Sequence, residues 1–224
     1  LVSTPKSSSP EELDEELDFS RRLYADPNDP DVIAVILNKV GEPEQSGLTL
    51  HRDKEPAAAM DYQKECRVFS NGQLRLLAEV PWQPELLAPR VSDIVRELGV
   101  EVLNSGHMEK RRVKTVSVCA RTIRNMTDTL KPGTLLVTPG DREDIIITTA
   151  LAALNGVPLA GLMLTGGLMP AQSVIDLCRR ALDTGLPVLG SDANTYESAH
   201  MLASLSSAIP LDDPERIEQA MDAV

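Results

Sequence analysis

Aromatic residues are scarce: Phe, Trp and Tyr make up 3 % of the 224 residues, with a single Trp. So few rings give little with which to stack nucleobases. The cores must rest on Leu, Val, Ile, Ala and Met. Positive charge is also short, with 22 Lys and Arg against 34 Asp and Glu and a formal net charge of -12. Nucleic-acid binding depends on cations that neutralise phosphates, so that partner class is excluded. The one basic patch, Lys110, Arg111, Arg112 and Lys114, reads as a solvated strand entry. Cysteine is limited to Cys66, Cys119 and Cys178, odd in number, widely spaced and without a C-x-x-C. Neither a disulfide framework nor a zinc site is signalled. Cys119 and Cys178 lie in apolar patterns as small hydrophobes, and a reducing cytoplasm fits.

Other absences concern chemistry. There is no G-x-x-x-x-G-K-[ST], hence no evident cradle for a triphosphate. His51, His107 and His200 are scattered, and none accompanies a Ser or Cys in a nucleophile elbow. No paired-carboxylate or metal-ligand pattern stands out. The longest apolar region, Leu151 to Leu164, is interrupted by Asn155, Gly156 and Pro158 and is too broken to span a membrane. No signal peptide is expected. The opening LVSTP reads as a strand end, so the chain is expected to be a piece of a longer protein.

What is present is alternation. Hydrophobic residues make up 42 % and charged residues 25 %, ordinary values for a globular chain. Ser9-Pro10-Glu11-Glu12 marks a helix start, and Leu13, Leu17, Phe19 and Leu23 give that helix an expected buried side. Val32 to Leu37 is a strand buried on both faces, ending in Asn38-Lys39. Residues 42–72 are polar and weakly periodic, a long excursion with helical character around 57–65. Leu74 to Val80 is a strand, Pro89 to Leu98 a helix stopped by Gly99, and Val100 to Leu103 a short strand. A polar joint over 104–111 places a domain boundary between residues 104 and 105. Beyond it come a strand at 113–119, a helix at 122–130, a strand at 135–137, a helix from Asp141, and a strand at 159–164. A helix at 170–183, a strand at 186–189, a helix at 195–206 and a last helix from Asp213 follow. The fold class is α/β: two consecutive units with mostly parallel sheets and right-handed crossovers.

Two loops should share the carboxyl edge of the second sheet, where open α/β sheets bind ligands. The first carries Thr138, Asp141 and Arg142. Asp141 is a natural helix cap, and the Arg142 fork can hold a carboxylate or phosphate. The second carries Thr165, Gly166 and Gly167, either a turn needing positive φ or a bare-backbone nest for an anion. Asn38-Lys39 reads as a loop or, in a nucleotide-binding fold, as a reader of a purine base.

Asp141-Arg142 followed by Thr165-Gly166-Gly167 resembles the signature of the DRTGG domain. The resemblance extends through RRVKTVSVCARTI (111–123), LLVTPGDREDII (135–146), LAALNGVPLAGLMLTGG (151–167), LCRRALDTGLPV (177–188), NTY (194–196) and IPLDDPERIE (209–218). These runs look like the middle domain of the long, multidomain bacterial phosphate acetyltransferases (phosphotransacetylases). SSSPEELDEELDFSRR (7–22), VIAVILNKV (32–40) and AEVPWQPELLAPR (78–90) look like the second part of that family's amino-terminal domain. That domain is a P-loop fold similar to dethiobiotin synthetase.

The resemblance implies residues 1–104 as the end of the P-loop-like domain, with 41–75 a variable insertion, and 105–224 as a DRTGG domain. The family's P-loop would precede Leu1 and its acetyltransferase domain would follow Val224. It implies a non-catalytic regulatory and assembly region of a cytoplasmic homo-oligomer, without a cofactor of its own. The parent would convert acetyl-CoA and phosphate to acetyl phosphate and CoA. The expected effector is a small anionic metabolite at Thr138, Asp141, Arg142, Thr165, Gly166 and Gly167. The alternatives are a ligand-free oligomerisation platform and a free-standing, nucleotide-dependent relative of dethiobiotin synthetase.

Overall fold

A computed structural model describes residues 1–5, 9–24, 34–42, 60–83, 86, 88–205 and 210–222. The chain divides into two compact units. The first holds β1 (Val2–Ser3), α1 (Pro10–Tyr24), β2 (Ala34–Val40), α2 (Tyr62–Glu65), α3 (Arg67–Ser70), β3 (Arg75–Pro81) and a closing helix. Its sheet runs β1-β2-β3, parallel throughout.

Helix α1 begins as its sequence demands. The amide of Glu12 donates to Ser9 Oγ, and the amide of Ser9 donates to Glu12 Oε2, a reciprocal box at the amino end. Leu13 and Leu17 are fully buried, whereas Phe19 is 67 % exposed and Leu23 is exposed with it. The expected buried side was therefore too wide. At 100° per residue Phe19 and Leu23 lie across the helix from Leu17. The inward stripe instead includes Asp14, a buried carboxylate. Asp14 accepts from the amides of Arg67 (2.9 Å) and Val68 (3.0 Å). Helix α3 has no side-chain cap of its own, so Asp14 caps it from more than fifty residues away.

The second unit holds α4 (Val91–Leu98), β4 (Glu101–Asn104), β5 (Thr115–Val118), β6 (Thr134–Pro139), α5 (Glu143–Leu154), β7 (Gly161–Thr165), α6 (Gln172–Leu182), β8 (Val188–Gly190) and α7 (Thr195–Ala203). The order is β4-β8-β7-β6-β5, with β5 to β8 parallel and β4 antiparallel to β8. The division is not the one expected at residue 104. Helix α4 and strand β4 build the second unit, and the final helix α8 (Pro214–Asp222) groups with the first. The polar joint over 104–111 is thus a turn inside a unit: Asn104 ends the strand paired with β8.

Central strands β6 and β7 are buried along almost their whole length. Ile145, Ile146 and Ala150 of α5 and Val174, Cys178 and Ala181 of α6 cover one face of the sheet. Val91 and Ile94 of α4 and Leu202 of α7 cover the other. The predicted helix at 122–130 is two 3-10 turns, Ile123–Asn125 and Thr127–Thr129. Only Met126 there is buried, and Thr129 Oγ1 donates to the Met126 carbonyl at 2.6 Å, a local bond that competes with the helical ladder. The basic patch is also different from its expectation. Arg111 is half-buried and donates to the carbonyls of Leu159 and Thr184, so it ties loops together.

Removing the Asp14 carboxylate leaves two amide donors without a partner. Asp14→Ala is expected to destabilise the first unit by about 2–3 kcal/mol, with the second unit's unfolding unmoved. Urea denaturation followed by hydrogen exchange in each unit checks this.

Candidate functional site

The two loops named from sequence do leave adjacent strands at one edge. Residues Thr138 and Leu164 are in register, as are Pro139 and Thr165. Parallel partners point to the same side. Thr138 therefore faces the α5/α6 side with Leu164, while Thr165 faces the other side with Met163. The two hydroxyls do not converge. Thr165 Oγ1 instead meets Thr195 Oγ1 at 2.8 Å, at the start of α7. Thr138 is fully buried, and its Oγ1 has no hydrogen-bond partner among the described residues.

The Gly pair is not an open nest. Gly166 (φ 80°) donates its amide to the Ala193 carbonyl at 2.8 Å. Gly167 (φ 63°) donates to the Ser191 carbonyl at 3.0 Å. Both glycines supply the positive φ that the turn needs, and both amides are already used. The β8–α7 loop that uses them was missed as a site element, although Asn194-x-x-Glu197 carries its signal. Asn194 Oδ1 accepts from the Glu197 amide and Glu197 returns the bond, a capping box. Ser191 Oγ and Ser198 Oγ lie 3.1 Å apart behind it.

Asp141 is exposed and does not cap the helix; Arg142 holds the cap position and makes no side-chain cap bond. The reason is length. The turn takes Gly140 and Asp141, with the Arg142 amide bonded to the Pro139 carbonyl at 3.1 Å, so α5 starts two residues later. Arg142 donates Nε and Nη2 to the two oxygens of Asp144, each at 2.9 Å, and Nη2 also reaches the Arg121 carbonyl at 3.3 Å. The Arg142 fork holds the Asp144 carboxyl below its usual range, and Asp144 raises the guanidinium in turn. Glu143 Oε1 accepts from the Ala171 amide at 3.0 Å, joining the start of α5 to the start of α6.

Crevices in open sheets form where strand order reverses. Here β5, β6, β7 and β8 follow one another without reversal, and α5 and α6 share one face. The edge at β6 and β7 is therefore a line of tight turns. Gly140 shows how tight: a Cβ there would sit 1.7 Å from the Leu168 carbonyl oxygen.

The other sequence candidates lie apart. Asn38 and Lys39 belong to the first unit's sheet. The strand does not end there but continues to Val40 through a bulge. Lys39 has φ 58°, the only non-glycine positive φ among the described residues, and its amide donates to Asn38 Oδ1 at 3.0 Å. The three cysteines are buried and free. Burial pushes the thiols of Cys66 and Cys119 up to about 11 and raises that of Cys178. Thiols so disfavoured as thiolates are packing groups. Among the described residues no group of three His, Cys, Asp or Glu could hold a metal, and no helix is long and apolar enough to cross a membrane.

Fold and edge together define a mostly parallel α/β module whose strand ends carry the Asp-Arg and Thr-Gly-Gly turns. The DRTGG domain family matches residues 93–205, from α4 through α7, and the chain belongs to that family. Over its whole length the chain is also similar to phosphate acetyltransferases. It is 43 % identical over 224 residues to that of Pseudomonas putida, covering 100 % of this chain and 31 % of the relative. It is 34 % identical over 230 residues to that of Escherichia coli K12, covering 100 % of this chain and 32 % of the relative. The chain thus spans about a third of the curated relatives it matches. A crystal structure of the CBS and DRTGG domains of the regulatory region of Clostridium perfringens pyrophosphatase, complexed with the activator diadenosine tetraphosphate, aligns at 18 % identity. It covers 59 % of each chain with a TM-score of 0.43.

Gly140→Ala is expected to lower stability by about 2–3 kcal/mol, because backbone must move to admit the methyl. Gly156→Ala is the control: φ is 84° but no atom lies within 4 Å of the new Cβ, so the loss should be about 1 kcal/mol. Thermal or urea unfolding of both variants tests whether contact or dihedral strain dominates.

Proposed function

We propose that this chain is a non-catalytic regulatory and assembly region of a phosphate acetyltransferase. The parent would interconvert acetyl-CoA and phosphate with acetyl phosphate and CoA in the cytoplasm. The chain itself would need no cofactor, and the reaction would belong to an acetyltransferase domain elsewhere in the parent. The observation that carries this reading is the match of all of this chain to about a third of such enzymes. The buried thiols suit a reducing compartment. The first unit, with its all-parallel sheet, would be the end of the P-loop-like domain. Asn38 and Lys39 would face a purine base only where the parent supplies a phosphate-binding loop.

The regulatory ligand would be a small anionic metabolite at the β6/β7 edge. Arg142 is its anchor, with Asp141 beside it; Thr138, fully buried, and Thr165, Gly166 and Gly167 hold the strand ends and the turn rather than the ligand. An anion must displace Asp144 from the guanidinium. That exchange is inexpensive, since an exposed ion pair contributes about 0.2–1 kcal/mol. Calorimetry of this chain with pyruvate, phosphoenolpyruvate and nucleotides tests it. Asp144→Asn should tighten anion binding about three- to fivefold, and Arg142→Ala should abolish it. Silence from every compound, with Arg142→Ala leaving the intact parent's regulation unchanged, would defeat the ligand reading.

A second reading rests on a different feature. Ile147, Leu151 and Leu154 form an exposed apolar stripe along α5, at i, i+4 and i+7, and Leu151 is 56 % exposed. Such a stripe suits association with a second copy, the ligand-free platform. Sedimentation should then give an oligomer for the native chain and a monomer for Leu151→Lys. A native monomer at high micromolar concentration would remove this reading.

A further inference from the structure

The second unit contains a cavity of about 170 Å³ between the sheet and helices α5 and α6. Its floor is Leu162 and Leu164 of β7 and Val188 of β8, with Ile146 on α5 and Cys178 on α6 among the walls. Protein cores are close-packed and leave few voids larger than a water molecule. This one is comparable to a cavity of roughly 150 Å³, lined by aliphatic groups, that stays dry and takes up benzene. It is also not sealed. Met169, 55 % exposed, stands at its margin, and a flexible thioether adapts to what it covers.

The lining chemistry restricts the occupant. No charged side chain lines the cavity. A carboxylate or phosphate would lose its water there without meeting a cation. Asn104 supplies the one carboxamide. Its Nδ2 donates to the Leu186 carbonyl at 2.7 Å and approaches the Leu182 carbonyl at 3.5 Å. Two acceptors on that side fix the orientation of the amide. Asn104 Oδ1 is left as an acceptor with no donor among the described residues. The cavity therefore presents an apolar volume with the Asn104 carboxamide as the one strongly polar side chain on its lining.

We propose that this cavity binds a small neutral molecule, about the size of a benzene ring, whose single hydrogen-bond donor is received by Asn104. The site is independent of the anion proposed at Arg142: its walls are apolar, and its ligand must be uncharged.

The test uses the full chain with methyl-labelled Ile and Leu, titrated separately with phenol, benzene and benzoate and followed by NMR. Phenol should shift the methyls of Ile146, Ile175 and Leu164 saturably and bind at least fivefold tighter than benzene. Benzoate should leave them unmoved. Ala150→Phe, which fills the cavity from α5, should weaken phenol binding at least tenfold while the methyls outside the cavity keep their positions. Ala150→Leu offers a milder filling with the same expected direction. Asn104→Leu should bring phenol and benzene to equal affinity. The proposal is overturned by the absence of saturable shifts with phenol, by benzoate binding as well as phenol, or by undiminished binding in a folded Ala150 variant.

Discussion

The second unit depends on one constraint: β6 and β7 are closed to water on both faces. Their ends must turn out of the sheet within a few residues to let helices cover them, and of their two terminal threonines Thr165 finds a hydroxyl partner whereas Thr138 does not. Gly140 is the clearest consequence. The chain turns there against the Leu168 carbonyl, where no side chain fits. The turn at Gly166-Gly167 is the second, its amides taken by the β8–α7 loop. The third is Thr165, whose hydroxyl is answered by Thr195. Each of these features satisfies backbone or hydroxyl groups that a two-face-buried strand would otherwise leave orphaned.

This constraint explains what could be read from sequence. Continuous apolar runs at 135–137 and 159–164, punctuated by Pro139-Gly140 and Thr165-Gly166-Gly167, identify buried parallel strands and their turns. The alternation of elements then gives the α/β class. Three things were not legible. The membership of β4 depends on antiparallel pairing with β8, more than eighty residues away, and local pattern carries no information at that range. The 3-10 turns at 123–129 bury only Met126, too little apolar surface for periodicity to tell them from a helix. Nothing in the local pattern marks Asp14, which faces inward and accepts from the α3 amides.

The candidate site was legible as a place and less so as an arrangement. Sequence spacing brought Asp141-Arg142 and Thr165-Gly166-Gly167 to one edge, and register confirms that adjacency. Period-two alternation, applied strictly, separates Thr138 from Thr165, because partners in register face one side and Thr165 is partnered with Pro139. Arg142 was a candidate for its fork, but its occupation by Asp144 two residues on could not be weighed without coordinates.

A regulatory module of the kind proposed must exist in at least two states that its ligand tells apart. In this edge the polar groups are largely answered from within, so the proposed anion would act by exchange: it would replace Asp144 on Arg142 and free a carboxylate at the first turn of α5. That turn also carries Glu143, which holds the Ala171 amide at the start of α6. Between Thr165 and Ala171 lies the segment that presses on Gly140 and supplies Met169 to the apolar cavity. The polar edge and the apolar cavity thus share one short stretch of chain. This stretch is where a signal from the proposed anion would reach α6. The DRTGG turns fix the position of the segment that packs on Gly140 and lines the cavity.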